Sequence, residues 1–164
     1  MFEHNKLERL AIDGPKSVLV VKAGFNEDIV NMLHEGAEEE IEAWGGKSEV
    51  VTVPGALEIP TAISIAEREL SYNAYVALGC VIRGETTHYE TVCNESSRGI
   101  MMLGLQAACI GNGILNVENI EQAIARADPG KMNKGAEAAA AALYLLHHKT
   151  ELIKRRKAKG VVRF

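Results

Sequence analysis

The chain has 164 residues, of which 47% are hydrophobic and 24% are charged, and its formal net charge is −4. This length favours one domain with one core, so we expect one active unit per chain. The ordinary, mildly acidic composition argues against a general nucleic-acid-binding or membrane-binding protein.

The N-terminal segment, the length of the apolar runs and the cysteines indicate the cellular compartment of the protein. The first nine residues mix charges and contain no apolar signal core, and no apolar run approaches the roughly 18 residues of a membrane span. Three irregularly spaced cysteines do not make a disulfide framework or a CxxC zinc pair. We therefore expect a cytoplasmic protein without a metal centre.

Predicted strands and helices alternate in the first half of the chain. The β-branched run at 17–22 predicts a buried strand, and Asn26 follows it as a helix N-cap. Apolar residues then recur at three- and four-residue spacing until Gly45-Gly46 ends the helix. A second strand at 49–53 is followed by a turn at Pro54-Gly55 and a second helix.

The second half continues this alternation. Its predicted elements are a strand at 74–82, a helix at 88–110, a short strand at Ile114-Leu115, a helix capped by Asn116 or Asn119, and a last helix from about Lys134 past Leu146. Strands that alternate with helices predict a parallel sheet covered on both faces. We expect a single domain over 1–164, with an N-terminal arm at 1–16 and a basic C-terminal tail at 150–164.

Ligands of such sheets bind outside the carboxyl ends of the strands. Four distinctive segments are predicted there: Gly24-Phe25-Asn26, residues 53–56, the loop that ends in His88, and Gly111-Asn112-Gly113, which precedes its short strand.

His88 opens a predicted helix directly after Gly84-Glu85-Thr86-Thr87. An imidazole at a helix start is suited to proton transfer near pH 7 beside a bound anion, and the loop has the flexibility and hydroxyls to wrap a phosphate. A capping histidine on a plain strand-to-helix turn is an open alternative, because the loop has neither the P-loop pattern nor GxGxxG.

Four other side chains each have two interpretations. Phe25 either stacks on a planar ring or packs as a hydrophobic staple, and Glu58 either binds ligand hydroxyls or complements a helix dipole. Arg126 and Lys134 flank a break between two helices, where cations are favourable without any ligand. The basic cluster near the C-terminus predicts a solvated helix end.

Taken together, these segments resemble the lumazine synthase family, which makes 6,7-dimethyl-8-ribityllumazine in the penultimate step of riboflavin biosynthesis. The segments that carry the resemblance are Phe25-Asn26, VPGALEIP at 53–60, ALGCVIRGET at 77–86 with His88, residues 119–126, and Asn133-Lys134-Gly135. They stand in the family's order and spacing from about Ser17 to Leu146.

The resemblance implies a flavodoxin-like three-layer αβα sandwich around a four-stranded parallel sheet. It implies homo-oligomers, at least pentamers, with active sites shared between neighbouring subunits. It also implies a transferase that condenses 5-amino-6-(ribitylamino)uracil with 3,4-dihydroxy-2-butanone 4-phosphate and releases phosphate and water, without metal or organic cofactor.

The resemblance further implies roles for individual residues. His88 would move protons, and Phe25 would stack on the pyrimidine. Gly55-Ala56 and Glu58 would hold the ribityl chain, while Thr86 with Arg126 of the adjacent chain would hold the phosphate. The other positions implied to contact substrate are Asn26, Leu57, Val81, Ile82, Gly84, Glu85, Asn112 and, from across the interface, Lys134.

Four positions depart from the family's pattern. Gly24 replaces a common arginine and Thr87 a frequent proline, and neither change removes a proposed catalytic group. Asn112 replaces an aromatic residue that lines the ring and ribityl pocket, so a polar contact is expected there. The segment 128–132 differs from the glycine-rich link of capsid-forming members, which favours a free pentamer.

Two rival functions stay open at this level. One is a weakly catalytic lumazine- or flavin-binding or shell-forming paralogue, which the joint presence of Thr86, His88 and Arg126 disfavours. The other, suggested by fold alone, is a flavodoxin-like electron carrier or a nucleotide-binding switch. The sequence shows no acidic metal pair at the predicted strand ends.

Overall fold

The computed structural model describes residues 7–161. Within that range the elements are β1 Ser17–Ala23, α1 Glu27–Ala43, β2 Lys47–Val53, α2 Ile59–Glu69, β3 Ala74–Ile82, α3 His88–Leu105, β4 Ile110–Val117, α4 Ile120–Ala127 and α5 Lys134–Ala158. A short 3₁₀ turn, Ala56–Glu58, leads into α2. No helix in this part of the chain is long and apolar enough to cross a membrane.

The four strands form one parallel sheet in the order β2-β1-β3-β4. In the register of β1 with its two neighbours, Val20 lies opposite both Val50 and Val76. Alternate residues of β1 point to opposite faces, so Val20 packs with α1 and α5 whereas Leu19 and Val21 pack with α2. The predicted αβα sandwich with a four-stranded parallel sheet is confirmed.

Burial differs between the central and outer strands. β3 is buried from Ala74 to Cys80, as expected of a parallel strand that helices cover on both sides. β2 lies at an edge, where Val50 and Val51 are 41% and 44% exposed. The prediction of a sheet covered on both faces therefore holds for the central strands and is wrong for β2.

The predicted boundary between α3 and β4 is wrong. α3 ends at Leu105 instead of 110, and β4 begins at Ile110 instead of 114. Gly111 is a turn signal in the sequence pattern, yet it lies in the strand. Glycine is needed at this strand position because a Cβ would come within 1.7 Å of the Ala138 carbonyl oxygen. Gly-Asn-Gly at 111–113 thus marks close packing of α5 on β4.

Two asparagines act differently at helix starts. Asn119 is the cap of α4, since its side chain accepts a hydrogen bond from Gln122 N at 2.9 Å, which decides between the two predicted caps. Asn26 occupies the N-cap position of α1 in a left-handed conformation, with φ 56°, and makes no side-chain cap. Its amide instead donates to the Cys80 carbonyl oxygen at 2.9 Å.

Both predicted terminal segments make contacts with other parts of the chain where the structure describes them. In the arm, the Arg9 guanidinium contacts the Glu40 carboxylate at 3.1 and 2.8 Å, and Glu40, only 5% exposed, also accepts from Trp44 Nε1. In the basic tail, α5 continues to Ala158, and Lys154 pairs with Asp13. Residues 1–6 and 162–164 of these segments lie outside the described range.

Helices α1 and α5 approach each other until backbone atoms touch. A side chain at Gly135 would come within 1.9 Å of the Leu33 carbonyl oxygen. A side chain at Gly36 would come equally close to Asn133 Oδ1. Asn133 itself adopts a left-handed φ of 48° and caps α5 through Ala136 N, so the start of α5 is fixed against α1.

Gly135→Ala tests this close approach. Because the clashing atoms are backbone, we expect the free energy of unfolding to fall by about 1–3 kcal/mol, measured by chemical denaturation. The control is Gly104→Ala in α3, where nothing lies within 4 Å of the added methyl group. That change should stabilise the protein by about 0.5–1 kcal/mol through helix propensity. Equal stability of the two variants would contradict the packing described.

Candidate active site

A cleft of about 420 Å³ opens at the carboxyl ends of β1, β2 and β3. The chain leaves β1 toward the β2 edge of the sheet and leaves β3 toward the β4 edge, so the crevice lies where the strand order reverses. Open α/β sheets bind ligands at such a switch point. The cleft is therefore the candidate active site.

Three loops bring most of the predicted site residues to this cleft. Those that line it are Phe25 after β1, Gly55, Ala56, Leu57 and Glu58 after β2, and Val81, Ile82, Gly84, Thr86 and His88 from the end of β3 onward. Residues distant in sequence thus meet because their strands end at the same edge of the sheet.

The turn that carries Phe25 is tied to both neighbouring strands. Gly24 N donates to the Val53 carbonyl oxygen at 2.7 Å, and Asn26 Nδ2 reaches Cys80 O. Phe25 is 72% exposed, so it does not pack as a staple on its own helix, and that alternative is wrong. Its ring lines the cleft and is available to stack on a planar group.

Glu58 is fixed to the turn that leads into its helix. Its Oε2 accepts a hydrogen bond from Gly55 N at 2.9 Å, which closes the turn between β2 and α2. The residue is exposed and lines the cleft. A carboxylate held in this way is an acceptor suited to hydroxyl groups.

His88 is the first residue of α3 and is exposed at the cleft. Its backbone N–H donates to Thr86 Oγ1 at 3.3 Å, so the hydroxyl and the imidazole belong to one turn. The positive end of a helix dipole favours an anion at this position. The start of α3 can therefore hold an anion and supply a proton-transfer group beside it.

The floor of the cleft is apolar and chemically inert. Cys80, Val81 and Val92 contribute to it. Burial raises the pKa of the Cys80 thiol to about 11, so at neutral pH the thiol stays protonated and is a poor nucleophile. Within residues 7–161, no three histidine, cysteine or carboxylate side chains are grouped to hold a metal ion.

Three predicted site residues lie outside the lining of this cleft. Asn26 holds a strand end as described above, and Glu85 is exposed on the loop. Asn112 lies within β4 opposite Ala77, and its Oδ1 accepts from Ile114 N at 3.0 Å. Its predicted place at the carboxyl end of a strand is wrong, since the two glycines that flank it belong to the strand.

Arg126 and Lys134 also lie outside the cleft of their own chain. Arg126 is in the last turn of α4, where its Nη1 donates to the Gln122 carbonyl oxygen at 3.1 Å. Lys134 opens α5 and pairs with Glu137 at 2.6 Å. Both helices pack on the face of the sheet opposite α2 and α3, which separates these cations from His88.

Five lining residues, Ala23, Pro54, Cys80, Tyr89 and Val92, are not among the predicted site residues. Val92 follows His88 by four residues on α3 and so shares its helix face, a spacing that would have indicated it. Tyr89 has no such signal, because it is adjacent to His88 and its direction depends on the loop before α3.

The family model for 6,7-dimethyl-8-ribityllumazine synthase matches residues 15–150 of this chain. The chain belongs to this family. The matched range contains all four strands and every loop of the cleft described above.

Relatives that carry the lumazine synthase name are similar over most of their length. The Zymomonas mobilis protein is 53% identical over 82% of this chain and 96% of its own. The Sphingopyxis alaskensis protein is 56% identical over 79% of this chain and 92% of its own. In Rhodopseudomonas palustris, a protein named 6,7-dimethyl-8-ribityllumazine synthase 1 is 50% identical over 84% of this chain and 88% of its own.

Gly84→Ala tests whether the cleft accepts an anion. Nothing in the chain lies within 4 Å of an added methyl group, so the free energy of unfolding should change by less than about 0.5 kcal/mol. The methyl group would occupy ligand space, and we expect binding of inorganic phosphate, measured by calorimetry, to weaken about tenfold. Gly104→Ala, equally open but outside the cleft, should bind phosphate like the unmodified protein. Equal phosphate binding by both variants would contradict the anion site.

Proposed function

We propose that this protein is a working 6,7-dimethyl-8-ribityllumazine synthase that condenses 5-amino-6-(ribitylamino)uracil with 3,4-dihydroxy-2-butanone 4-phosphate. The observation that carries the proposal is the convergence of Phe25, Glu58, Thr86 and His88 on one cleft, in a chain of this family. An exposed ring, a hydroxyl acceptor, an anion-binding turn and a proton-transfer group match what the two substrates present.

Each part of the cleft suits one part of a substrate. The pyrimidine stacks on Phe25, with the backbone of Val81 and Ile82 along its edge. The ribityl hydroxyls donate to Glu58 beside the turn at Gly55-Ala56 and Leu57. The phosphate binds at the start of α3, where Thr86 and Gly84-Glu85 offer a hydroxyl and backbone amides.

The proposed reaction does not require a covalent bond between the protein and a substrate. The amine of the pyrimidine attacks the ketone carbon of the butanone phosphate, and loss of water leaves an imine. A proton then leaves carbon, phosphate is expelled by elimination, and the second amine closes the ring with loss of another water molecule. Both substrates bring their reactive groups with them, so positioning supplies most of the acceleration.

His88 moves the protons of these steps. An imidazole can protonate the departing hydroxyl of the carbinolamine and accept the carbon-bound proton before elimination. Its position one turn from the phosphate site supports both roles, because the leaving group and the transferred proton belong to the same substrate.

The remaining proposed contacts come from an adjacent copy of the chain. Arg126 binds the phosphate and Lys134 lines the pocket from that copy, and Asn112 supplies a polar contact where relatives stack a ring. The distance of all three from the cleft of their own chain supports a site shared in a homo-oligomer, which we propose to be a pentamer in the cytoplasm.

His88→Ala tests the activity and the proton role together. Purified protein given both substrates should form the lumazine product, followed by its absorbance. The variant should lose on the order of 10²-fold in kcat while its affinity for the pyrimidine changes little. His148→Ala, which removes an exposed histidine outside the cleft, serves as the control. Unchanged turnover in His88→Ala contradicts the proton role, and ligand binding without turnover in the unmodified protein would identify a non-catalytic paralogue.

Arg126→Ala tests the shared phosphate site. Loss of a hydrogen bond to a charged group should raise the KM for the butanone phosphate about 10- to 100-fold and leave the KM for the pyrimidine nearly unchanged. Arg68→Ala, on the exposed last turn of α2, is the matched control. Equal effects of Arg126→Ala on both KM values would indicate a structural or interface role instead.

A further inference from the structure

Arg83, which directly follows β3, makes contacts that the proposed reaction does not use. Its Nη1 forms an ion pair with Glu90 in the first turn of α3, and its Nε contacts Glu118 Oε2 at 2.7 Å. The guanidinium carbon also lies 4.2 Å from the centre of the Tyr89 ring. One side chain therefore contacts three others.

These contacts bracket the segment 84–88, which we call the anion loop. Arg83 precedes the loop, whereas Tyr89 and Glu90 follow it, so the ion pair and the ring contact close the loop on itself. The backbone of Arg83 donates to the Val117 carbonyl oxygen at 2.9 Å, and Glu118 follows β4 directly. The closed loop is thereby attached to the edge of the sheet.

The loop needs such a constraint because burial does not supply one. Every residue from Gly84 to His88 is exposed. A Cβ at Gly84 would meet no atom of the chain within 4 Å. Exposed backbone with few packed neighbours opens easily, and its geometry then depends on polar contacts at its ends.

We propose that Arg83 is a positioning residue that holds the anion loop in its phosphate-binding geometry. This inference rests on the proposed function, because the phosphate site is part of that function. The three charged side chains are 39% to 55% exposed, so their pairs add little to global stability. The planar fork of arginine can meet two carboxylates and an aromatic face at once, which the ammonium of lysine cannot.

Arg83→Gln separates positioning from stability. Hydrogen exchange of the peptides that cover 84–88 should become faster, while the thermal midpoint changes little. In the two-substrate assay the KM for the butanone phosphate should rise about tenfold, as should the inhibition constant of inorganic phosphate, with the KM for the pyrimidine unchanged. Arg83→Lys should restore only part of each effect.

The matched control is Arg98→Gln. Arg98 lies on α3 and, like Arg83, pairs with a carboxylate of that helix, in its case Glu95 at 2.6 Å, but it is outside the cleft. It should leave loop exchange and both KM values unchanged. Thr86→Ala serves as a second comparison, because it removes a proposed phosphate contact without changing the side chains that Arg83 contacts.

The outcomes distinguish the positioning role of Arg83 from the assignment of the phosphate site. Faster loop exchange together with weaker phosphate binding in Arg83→Gln supports the proposal. Unchanged exchange overturns it, as does an equal rise of both KM values. Faster exchange with unchanged phosphate binding also overturns it, and Thr86→Ala then shows where the error lies. If Thr86→Ala weakens phosphate binding, only the positioning role has failed, and if it does not, the phosphate site of the proposed function has failed as well.

Discussion

The parallel pairing of β1 with both β2 and β3 positions the cleft and the helices around it. It places three strand ends at one edge of the sheet. Because the chain turns toward opposite edges after β1 and after β3, the turns that follow diverge and leave a crevice. Phe25 and His88 line the same cleft because the strands that precede them end at the same edge of the sheet.

The two helical layers have different consequences for the site. α2 and α3 lie on the side of the sheet where the cleft is located. Glu58 directly precedes α2, and His88 is the first residue of α3. On the other side, glycines at 111 and 135 let α5 approach β4 and α1 closely. This packing fixes Lys134 on the face away from the cleft, so a role for it in catalysis requires a second chain.

Within the site, rigidity and exposure are divided between strands and loops. The apolar floor is formed by Cys80 and Val81 at the end of β3 and by Val92 of α3. Every residue of the anion loop is exposed, and Arg83, which precedes the loop, pairs with Glu90 after it and with Glu118 after β4. The floor and the loop are therefore stabilised by different forces, apolar burial in the one and charged contacts in the other.

The sequence pattern predicted the order and type of the elements, because strand and helix periodicity are local properties, and the motifs at 53–60 and 77–88 identified the family. It also indicated part of the cleft, because the segments at 24–26, 53–56 and 84–88 follow predicted strands, and the family resemblance supplied the other cleft residues. Three features are evident only in the folded chain. Gly111 lies in a strand, Phe25 does not pack as a staple, and the Asn26 side chain donates a hydrogen bond to the Cys80 carbonyl oxygen. Each of these features depends on whether atoms from a distant part of the chain lie beside the residue. A local sequence pattern carries no information about such contacts.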